Sequence, residues 1–597
     1  MIKKLSWICV AALMVVSVVL VSCQQATTPT TSGGTTVTGK TTPSGTTSPT
    51  TTQPTTTPAT AISGVPTTPV YGGVGVFGAP SSPTQWDPGY VMHAPYSYFS
   101  MYEGLICIDW AKGPQGTKDY TFDTQAIPAG GVAGLLAESW EITAKNVIIY
   151  HLRKGIRFQN KAPANGREVV ASDFVYAIQR TQNSPRSSAY KAPGTAPEKY
   201  VQAVALEKYT LQVTNPTAIL SPGAGQIGYG AIYPPEAVTQ YGNLEDWKNA
   251  CGTGPWILTD FVPDSSLTFK KNPNYWRYDP LHPANKLPYM DGYRTIVLPD
   301  VSTQMAAIRT GKQSFFGTTI DNAQNLIKTS PQLRYVLRPS NYNIVVFWRN
   351  DKAPFTDIRV RKALAKAIDR GAVLKDFMQG QGIYLAWPFY PFVGTDMFVP
   401  VEQLPADTAD IYKYDPAAAK KLLVDAGYPT GFKMQLDTPN VQMFVDRAGI
   451  VKNYWDAIGV STTVNVVESG AFYQSLYGKT YLQANICSWG NTSEYSTIGW
   501  AWYTGRIYNY GMVSDKTIDT AYDLALDTVD TAARNKILHD AGLYGISQCW
   551  DYELPAPYDY VFFQPWIGGY AGEYPDLVEG FQAHIWLDPA IQKKYQK

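Results

Sequence analysis

The chain has 597 residues, enough for about three or four domain-sized units, so a small module held together by disulfides is excluded. Its 49 Lys and Arg balance its 48 Asp and Glu, which argues against nucleic acid or another highly charged polymer as a partner. Aromatic residues make up 13% of the chain, a composition that favours flat contacts with sugar rings or peptide side chains, although most of these residues must serve packing.

The N-terminus has the pattern of a secreted protein. An apolar run from Leu5 to Val21 follows two lysines and is short for a membrane span. Cys23 comes after Leu-Val-Ser as in a bacterial lipobox, and this resemblance implies cleavage before Cys23 and lipidation of its thiol. We therefore expect a lipoprotein signal peptide at 1–22 and an extracytoplasmic protein anchored to the cell membrane. The alternative is an uncleaved anchor helix.

A segment of low complexity follows the signal. Residues 23–69 are mostly Thr, Ser, Pro, Gly, Gln and Ala, with Lys40 as the only charge. Such a composition buries too little apolar area to offset the entropy of ordering, so we predict a disordered tether. Its average reach as a coil is roughly 35–40 Å.

Three glycines in the next segment imitate a cofactor motif. Gly73, Gly75 and Gly78 have the GxGxxG spacing of a dinucleotide-binding loop. Pro80 and Pro83 block the helix that such a loop requires, so we predict a glycine-containing β-strand and no cofactor.

Other chemical motifs are missing from the sequence. The five histidines lack HxH or HExxH spacing, and neither a GxSxG elbow nor a Walker loop occurs, so we expect no metal and no enzyme activity. A pair of glycosidase carboxylates would leave no sequence pattern. Four cysteines beyond the signal allow three pairings, among which the sequence does not choose, and we expect one disulfide. These residues are Cys107, Cys251, Cys487 and Cys549.

The body begins with strands and a capped helix. Alternating apolar residues over 135–152 predict β-strands, followed by a turn at Lys154 and Gly155. A helix is predicted to begin after Ser172 or Asp173, either of which could cap it.

Three further helices carry clear end signals. The first is a short amphipathic helix that ends at Gly311. The second is capped by Thr356 or Asp357. It should bury one apolar face, namely Val360, Leu364, Ala367 and Ile368. The third has Asp415 as its cap, a Pro in its first turn and Gly427 as its stop.

In chain order these segments resemble the extracytoplasmic solute-binding proteins of the oligopeptide/dipeptide (family 5) class of ABC importers. The matching strings include LAESWE at 136–141, HLRKGIRF at 151–158, GTGPW at 252–256 and NPNYW at 272–276. The three helices above add to the match. The resemblance covers residues 70–597, nearly the whole mature body.

The resemblance implies an α/β fold, a two-lobed periplasmic-binding-protein clamshell of type II with an extra subdomain in its first lobe. It divides the chain as follows: 70–110 first part of lobe one, 111–230 extra subdomain, 231–342 second part of lobe one, 343–555 lobe two, 556–597 C-terminal part of lobe one.

The implied function is capture of a small solute between the lobes and delivery to the permease of an ABC importer. Oligopeptides are the expected ligand, with oligosaccharides as an alternative. The protein would be a monomer without cofactor or nucleic acid partner, held to membrane lipid through Cys23. A secreted glycan-active enzyme and an adhesion or scaffold lipoprotein are the interpretations from other classes.

The resemblance also suggests ligand contacts. Peptide-binding members have a Trp followed three residues later by an Asp that holds the peptide ammonium. Trp489 matches the Trp, but Thr492 occupies the Asp position, and Glu494 could replace it only if the loop shifts. The other candidates match positions that face the cleft in relatives, although core packing explains each about equally well: Trp86, Tyr102, Glu103, Trp387, Tyr508, Asn509 and Tyr510.

Overall fold

Two groups of β-strands, joined by two crossings of the chain, organise this computed structural model. It describes residues 66–83, 85–90, 98–120, 122, 129–187, 191, 193–216, 231–340, 342–384, 387–389, 399–490, 497–573 and 581–595. All of them belong to one compact unit, Pro58–Lys597.

The strands, in chain order, are β1 Val74–Ala79, β2 Ile106–Ile108, β3 Val132–Gly134, β4 Ala137–Ala144, β5 Val147–Leu152, β6 Gln202–Glu207, β7 Thr210–Thr214, β8 Trp256–Val262, β9 Ser266–Lys271, β10 Tyr278–Asp279, β11 His282–Lys286, β12 Gly292–Val297, β13 Phe315–Thr318, β14 Arg334–Pro339, β15 Tyr342–Trp348, β16 Gly382–Ile383, β17 Lys433–Pro439, β18 Ser461–Val467, β19 Ala484–Gly490, β20 Asp551–Glu553, β21 Ala556–Phe563, β22 Ile567–Gly568 and β23 Trp586–Leu587.

The α-helices are α1 Tyr98–Met101, α2 Ala171–Asn183, α3 Pro235–Tyr241, α4 Val301–Arg309, α5 Ile320–Thr329, α6 Ile358–Lys366, α7 Arg370–Ala372, α8 Ala406–Ala409, α9 Pro416–Asp425, α10 Gln442–Ala457, α11 Ser469–Tyr477, α12 Lys516–Asp527, α13 Thr531–Gln548 and α14 Pro589–Tyr595.

The first strand group holds the four-stranded sheets β1-β12-β9-β8 and β4-β5-β7-β6 and the three strands β13-β21-β14. The two-residue strand β16, which lies in the chain between β15 and β17, pairs with the start of β21. The glycine-rich segment is the predicted strand: β1 pairs in parallel with β12 over its whole length. The strands and turn predicted after residue 135 are also confirmed.

The sheet β4-β5-β7-β6 shares no strand hydrogen bonds with the other sheets, but its buried side chains pack against theirs. Tyr150 and Leu211 from this sheet lie in the same buried apolar cluster as Phe269 and Tyr293 of the first sheet. Phe581, near the C-terminus, joins the same cluster. The end of the chain therefore returns to the first strand group.

A buried ion pair ties helix α2 to the segment after β1. Arg180 donates two hydrogen bonds to Asp87, at 2.7 and 2.6 Å, and the Asp87 side chain is fully buried. The backbone N–H groups of Gly89 and Leu244 donate to the same carboxylate. This dense pairing offsets the cost of removing both charges from water.

The second strand group is one five-stranded sheet with the order β18-β17-β19-β15-β20. The chain enters it from β14 into β15, between Pro339 and Tyr342, and leaves it from β20 into β21, between Glu553 and Ala556. The two crossing strands β15 and β20 are paired with each other, so both crossings lie side by side.

Helix caps follow the predictions except at one position. Asp357 and Asp415 accept hydrogen bonds from the first-turn N–H groups of Arg359 and Ala418. Helix α2 instead has Val170 as its N-cap, so the prediction of a cap at Ser172 or Asp173 is wrong. Asp173 is the third residue of the helix, and its carboxylate accepts a hydrogen bond from the Val170 N–H. An acidic residue at this position of a capping box bonds to the backbone of the N-cap residue in this way.

The other helix predictions are confirmed. The apolar face of α6 is buried, with Val360, Leu364, Ala367 and Ile368 at most 1% exposed. Gly311 and Gly427, which follow α4 and α9, both have positive φ, the conformation that glycine adopts without strain.

The expected disulfide is not formed. None of the four cysteines of the body is in a disulfide, and each is buried: Cys107, Cys251, Cys487 and Cys549. Cys251, Cys487 and Cys549 lie in three different apolar clusters, where they act as small apolar side chains, and the Sγ of Cys107 accepts a hydrogen bond from Arg277 at 3.3 Å. Among the described residues, no helix is long and apolar enough to cross a membrane.

Candidate functional site

The two faces of the five-stranded sheet differ in chemistry. Ile344, Val346 and Trp348 of β15 point into an apolar cluster that also holds Leu364 of α6 and Val451 of α10. The alternate residues of the same strand point to the opposite face, as strand geometry requires. The site is built on that opposite face, where polar and aromatic side chains mix.

Register brings four polar side chains onto this face, of which three are buried and Asp551 is partly buried. Asn343 pairs with Trp489 across β15 and β19, and Phe347 pairs with Asn485 in the same ladder and with Asp551 on the other side. Val345 pairs with Glu553. We call Asn343, Asn485, Asp551 and Glu553 the polar face. Asn343 and Glu553 are its members nearest the crossings.

Asp551 has a clear structural partner. The indole Nε1 of Trp502 donates to its Oδ2 at 2.8 Å. Burial raises the pKa of Asp551 to about 7, and hydrogen bonds from the Trp502 and Trp387 side chains oppose this rise. The carboxyl group therefore belongs to the internal support of the sheet.

Glu553 is in a different situation. Its side chain is fully buried, and neither carboxylate oxygen makes a hydrogen bond of good geometry with the described residues. Burial raises the pKa of Glu553 to about 8, more than the charge of Arg370 and the Trp387 backbone lower it. Asn343, also fully buried, has both its Oδ1 and its Nδ2 without a partner within the described part of the chain. Unpartnered buried groups of this kind are costly, so they call for an explanation.

Trp489 lies at the centre of an aromatic cluster beside the polar face. Its ring is 4% exposed and meets Trp387 edge-on at 5.5 Å and Tyr510 at 5.3 Å between ring centroids. Its indole nitrogen has no hydrogen-bond partner in the described ranges. Tyr508 contacts the same ring at 6.3 Å.

Three exposed aromatic side chains cover this cluster. Tyr508 is 39% exposed and meets Trp500 at 5.6 Å and Tyr477 at 6.0 Å between centroids. Trp500 and Tyr477 are similarly exposed. We call Tyr477, Trp500 and Tyr508 the aromatic patch. Their exposed rings offer flat apolar area to a ligand.

Asn509 supports this patch and offers no free polar group to solvent. Its side chain donates to the carbonyls of Tyr503 and Val513 and accepts from the Val513 N–H. These bonds fix the turn from which Tyr508 and Tyr510 extend.

The candidates from the N-terminal part lie in the interior of the first strand group. Trp86 packs edge-on against Phe261 at 4.9 Å. Tyr102 is 1% exposed. Glu103 accepts hydrogen bonds from the Tyr275 hydroxyl at 2.7 Å and the Trp276 indole at 3.1 Å, and burial raises its pKa. Their contacts are those of packed interior residues.

The structure brings together five of the predicted residues, namely Trp387, Trp489, Tyr508, Asn509 and Tyr510. Thr492, Glu494 and the lipidation site Cys23 lie outside the described residues. The sequence analysis missed Asn343, Glu553, Tyr477 and Trp500. One signal was available for Glu553: acidic residues alternate with aromatic ones over Trp550–Glu553, within an otherwise apolar stretch.

Comparison with known proteins identifies the class. A family model described as "Bacterial extracellular solute-binding proteins, family 5 Middle" matches residues 131–509. Similar structures include HbpA2 from Haemophilus parasuis, with a TM-score of 0.71, 21% identity and coverage of 86% of this chain and 100% of that one. DppA from Helicobacter pylori in complex with the peptide STSA has a TM-score of 0.62, 21% identity and coverage of 87% and 98%.

Curated relatives agree with this class. Heme-binding protein A of Haemophilus influenzae is 28% identical over 383 residues, 59% of this chain and 65% of the relative. The dipeptide-binding protein of Escherichia coli is 25% identical over 373 residues, 58% of this chain and 65% of the relative. In both cases the match spans less than two thirds of the relative's length.

The fold is therefore the two-lobed α/β clamshell of periplasmic binding proteins, as the sequence resemblance implied. The chain belongs to the bacterial extracellular solute-binding proteins of family 5, a class of substrate-binding proteins and not of enzymes.

Proposed function

We propose that this protein is the lipid-anchored solute-binding component of an ABC importer, which captures oligopeptides between its lobes and delivers them unaltered to a membrane permease. The observation that carries the proposal is the pair of adjacent crossings, β14 to β15 and β20 to β21, through which the two strand groups are joined.

Two adjacent crossings suit a hinge. Two lobes joined in this way can populate open and closed forms, and a ligand that touches both lobes favours closure by its extra affinity for the closed form. The crossings support a first lobe that ends near residue 342 and a second lobe over 343–555. The chain beyond 556 then belongs to the first lobe.

Peptides are the favoured ligand class because several similar proteins are named as peptide-binding proteins or were solved with a bound peptide. One curated relative is a dipeptide-binding protein, and AppA from Bacillus subtilis, solved with a nonapeptide, has a TM-score of 0.61, 19% identity and coverage of 87% of this chain and 100% of that one. Other relatives are named for heme or glutathione. Oligosaccharides are the second candidate, because the aromatic patch of Tyr477, Trp500 and Tyr508 presents rings that suit stacking on sugars.

The anchor is proposed from the N-terminal pattern alone. Lipidated Cys23 and the tether at 23–69 would hold the binding body near the permease and raise its local concentration there. In a strain that carries Cys23→Ala, the protein should move from the membrane fraction to the medium or periplasm, whereas Cys9→Ala should leave it in place.

Native mass spectrometry of protein purified from its own host tests the function. We expect a one-to-one complex with a small solute, whose mass matches an intact peptide and does not change with incubation. A complex with an oligosaccharide would favour the second candidate. Loss of ligand mass with time, together with released fragments, would show hydrolysis and contradict the proposal.

A further inference from the structure

One ion pair connects the two strand groups through elements that take no part in the crossings. The Nζ of Lys145 lies 2.5 Å from the Oδ1 of Asp527. Lys145 is in the turn between β4 and β5, whose sheet packs into the apolar cluster of the first strand group. Asp527 is the last residue of α12, and Ile518 of this helix lies in the same cluster as Phe347 of the second sheet. The pair therefore bridges two parts of the chain that a hinge motion would separate.

The β4–β5 turn holds Lys145 in a fixed position. Lys145 and Asn146 form a two-residue hairpin turn between the paired residues Ala144 and Val147. The Asn146 side chain donates to the Asn215 carbonyl at 3.0 Å, and the Asn215 N–H donates to the Asn146 carbonyl at 2.8 Å. These bonds tie the turn to the segment that follows β7, so the backbone that carries the lysine is well supported.

The stability of helix α12 does not explain an acidic residue at its end. A carboxylate at the C-terminus of a helix meets the negative end of the helix dipole, which is unfavourable. Asp519 and Asp523, spaced four residues apart on the same helix, accept hydrogen bonds within their own strand group, from the Thr504 N–H and the Tyr503 hydroxyl. The last turn of α12 contains no basic residue. The cation that balances Asp527 comes from the other strand group.

Charge carries this contact, without support from apolar burial. Ile142 near the turn and Leu524 and Val529 near the end of α12 remain exposed. Both charged side chains are also more than half exposed. An exposed ion pair stabilises a contact only weakly and is screened by salt. A contact of this strength can form and break each time the lobes close and open.

Resting on the proposed closure of two lobes, we propose that Lys145 and Asp527 form a latch that holds the closed form. Closure brings the β4–β5 turn to the end of α12, and the ion pair adds to the contacts that the solute makes with both lobes. The latch slows reopening and so lengthens the time for which the solute stays bound. It also gives a role to the sheet β4-β5-β7-β6, which lies in the segment that we expect to form the extra subdomain.

Zero-length cross-linking of the mature wild-type protein tests the contact. A water-soluble carbodiimide joins a lysine amine to a carboxylate that touches it, and peptide mass spectrometry identifies the joined residues. The protein is treated as purified from its own host and again after exhaustive dialysis, with its solute content read by native mass spectrometry. We expect a several-fold higher yield of the link between Lys145 and Asp527 in the loaded protein. The link between Lys421 and Asp425, which are 2.8 Å apart within α9, should form equally in both samples.

Charge exchange tests the effect of the latch on release. After dilution, Lys145→Glu and Asp527→Lys should each lose the co-purified solute about two- to five-fold faster than the wild type, the range for an exposed ion pair. The double variant, with the charges exchanged, should return to the wild-type rate. Lys420→Glu, which makes the same charge change at an exposed position of α9, should have no effect. The effect of Lys145→Glu should disappear at about 1 M salt.

The outcomes separate the latch from the proposed function. An intact solute bound to protein that gives no Lys145–Asp527 link, or gives equal yields with and without solute, would overturn the latch and leave solute capture intact. A double variant that releases solute as fast as the single variants would also overturn it. Protein that carries no solute would contradict the proposed function, and the latch would fall with it.

Discussion

Tyr508 is the residue whose contribution to ligand binding can be measured with least disturbance to the fold. Its ring is 39% exposed and rests on its neighbours in the aromatic patch. We expect Tyr508→Ala to weaken binding of the co-purified solute by about 1–2 kcal/mol through loss of contact area, with little change in the free energy of unfolding. Isothermal titration calorimetry measures the first quantity and urea unfolding the second.

Tyr414→Ala is the matched control for this variant. Tyr414 is 45% exposed and meets one aromatic neighbour, Tyr454, at 6.0 Å, but it precedes α9, away from the patch. Its removal should leave the affinity unchanged. A loss of affinity equal to that of Tyr508→Ala would remove the patch from the binding site.

Trp489, unlike Tyr508, is a core residue, and its substitution should mainly affect stability. Because its ring is almost fully buried among Trp387, Phe347 and Tyr510, we expect Trp489→Ala to lower the free energy of unfolding by about 3–5 kcal/mol. Urea unfolding followed by circular dichroism measures this loss. A variant as stable as the wild type would contradict the assignment of this ring to the core.

Residue roles were the least predictable part of the chain. The sequence shows which residues are aromatic or acidic, but exposure depends on which face of a strand meets another element. The sequence resemblance suggested Glu103 and Trp86 as ligand contacts, and both side chains are buried in the first strand group. The sequence allows a disulfide between Cys487 and Cys549, but the two side chains lie in different apolar clusters of the second strand group.

Among the secondary-structure elements, helix α9 allows the stabilising effect of an N-cap residue to be measured. Asp415 accepts a hydrogen bond from the Ala418 N–H at 2.9 Å, and Pro416 occupies the first helical position. We expect Asp415→Ala to lower the free energy of unfolding by about 1 kcal/mol, since a first-turn N–H loses its partner. Asp425→Ala, at the other end of the same helix, is the control and should cost less than half as much. Equal losses for the two variants would contradict the cap assignment.

Strand β20 makes stability depend on pH. Burial raises the pKa of Asp551 to about 7 and that of Glu553 to about 8, whereas both groups titrate near pH 4 in an unfolded chain. Between these values the unfolded chain binds fewer protons than the folded one, so rising pH destabilises the folded state. Each carboxyl contributes a slope of up to about 1.4 kcal/mol per pH unit.

The measurement is urea unfolding of ligand-free protein at pH 5, 6, 7 and 8. The stability of the wild type relative to the double variant Asp551→Asn, Glu553→Gln should fall steadily over this range. Glu207→Gln is the control for the loss of an exposed carboxyl as such. A constant difference for the double variant would show that the two carboxyl groups titrate normally in the folded state.

Elements were predictable where their signals are local. The caps Asp357 and Asp415 and the stops Gly311 and Gly427 each depend on a few neighbouring residues, so sequence spacing suffices. Glu553 was missed for the opposite reason. It becomes a neighbour of Asn343 only through the pairing of β15 with β20, whose residues are about 210 positions apart in the chain.

For the whole molecule, the sequence resemblance predicted the two-lobed fold because many ordinary segments recur in a fixed order. Lobe boundaries are harder to predict, since they depend on which sheets share a core. The sheet β4-β5-β7-β6 has no strand hydrogen bonds to β9 or β12, yet its side chains lie in the same apolar cluster as theirs. Strand pairing therefore separates this sheet from the first sheet, whereas side-chain packing joins the two.

The proposed mechanism also belongs to this scale. Binding energy that depends on contacts with both lobes is converted into a change of shape, and that shape is what a permease can distinguish. Asn343 and Glu553 lie beside the two crossings.

Small-angle X-ray scattering of the mature protein, with and without a saturating amount of its co-purified solute, tests this account most directly. We predict that the ligand lowers the radius of gyration and that dialysis of the ligand restores the larger value. An identical scattering profile in both states, with saturation verified by calorimetry, would contradict closure around the ligand.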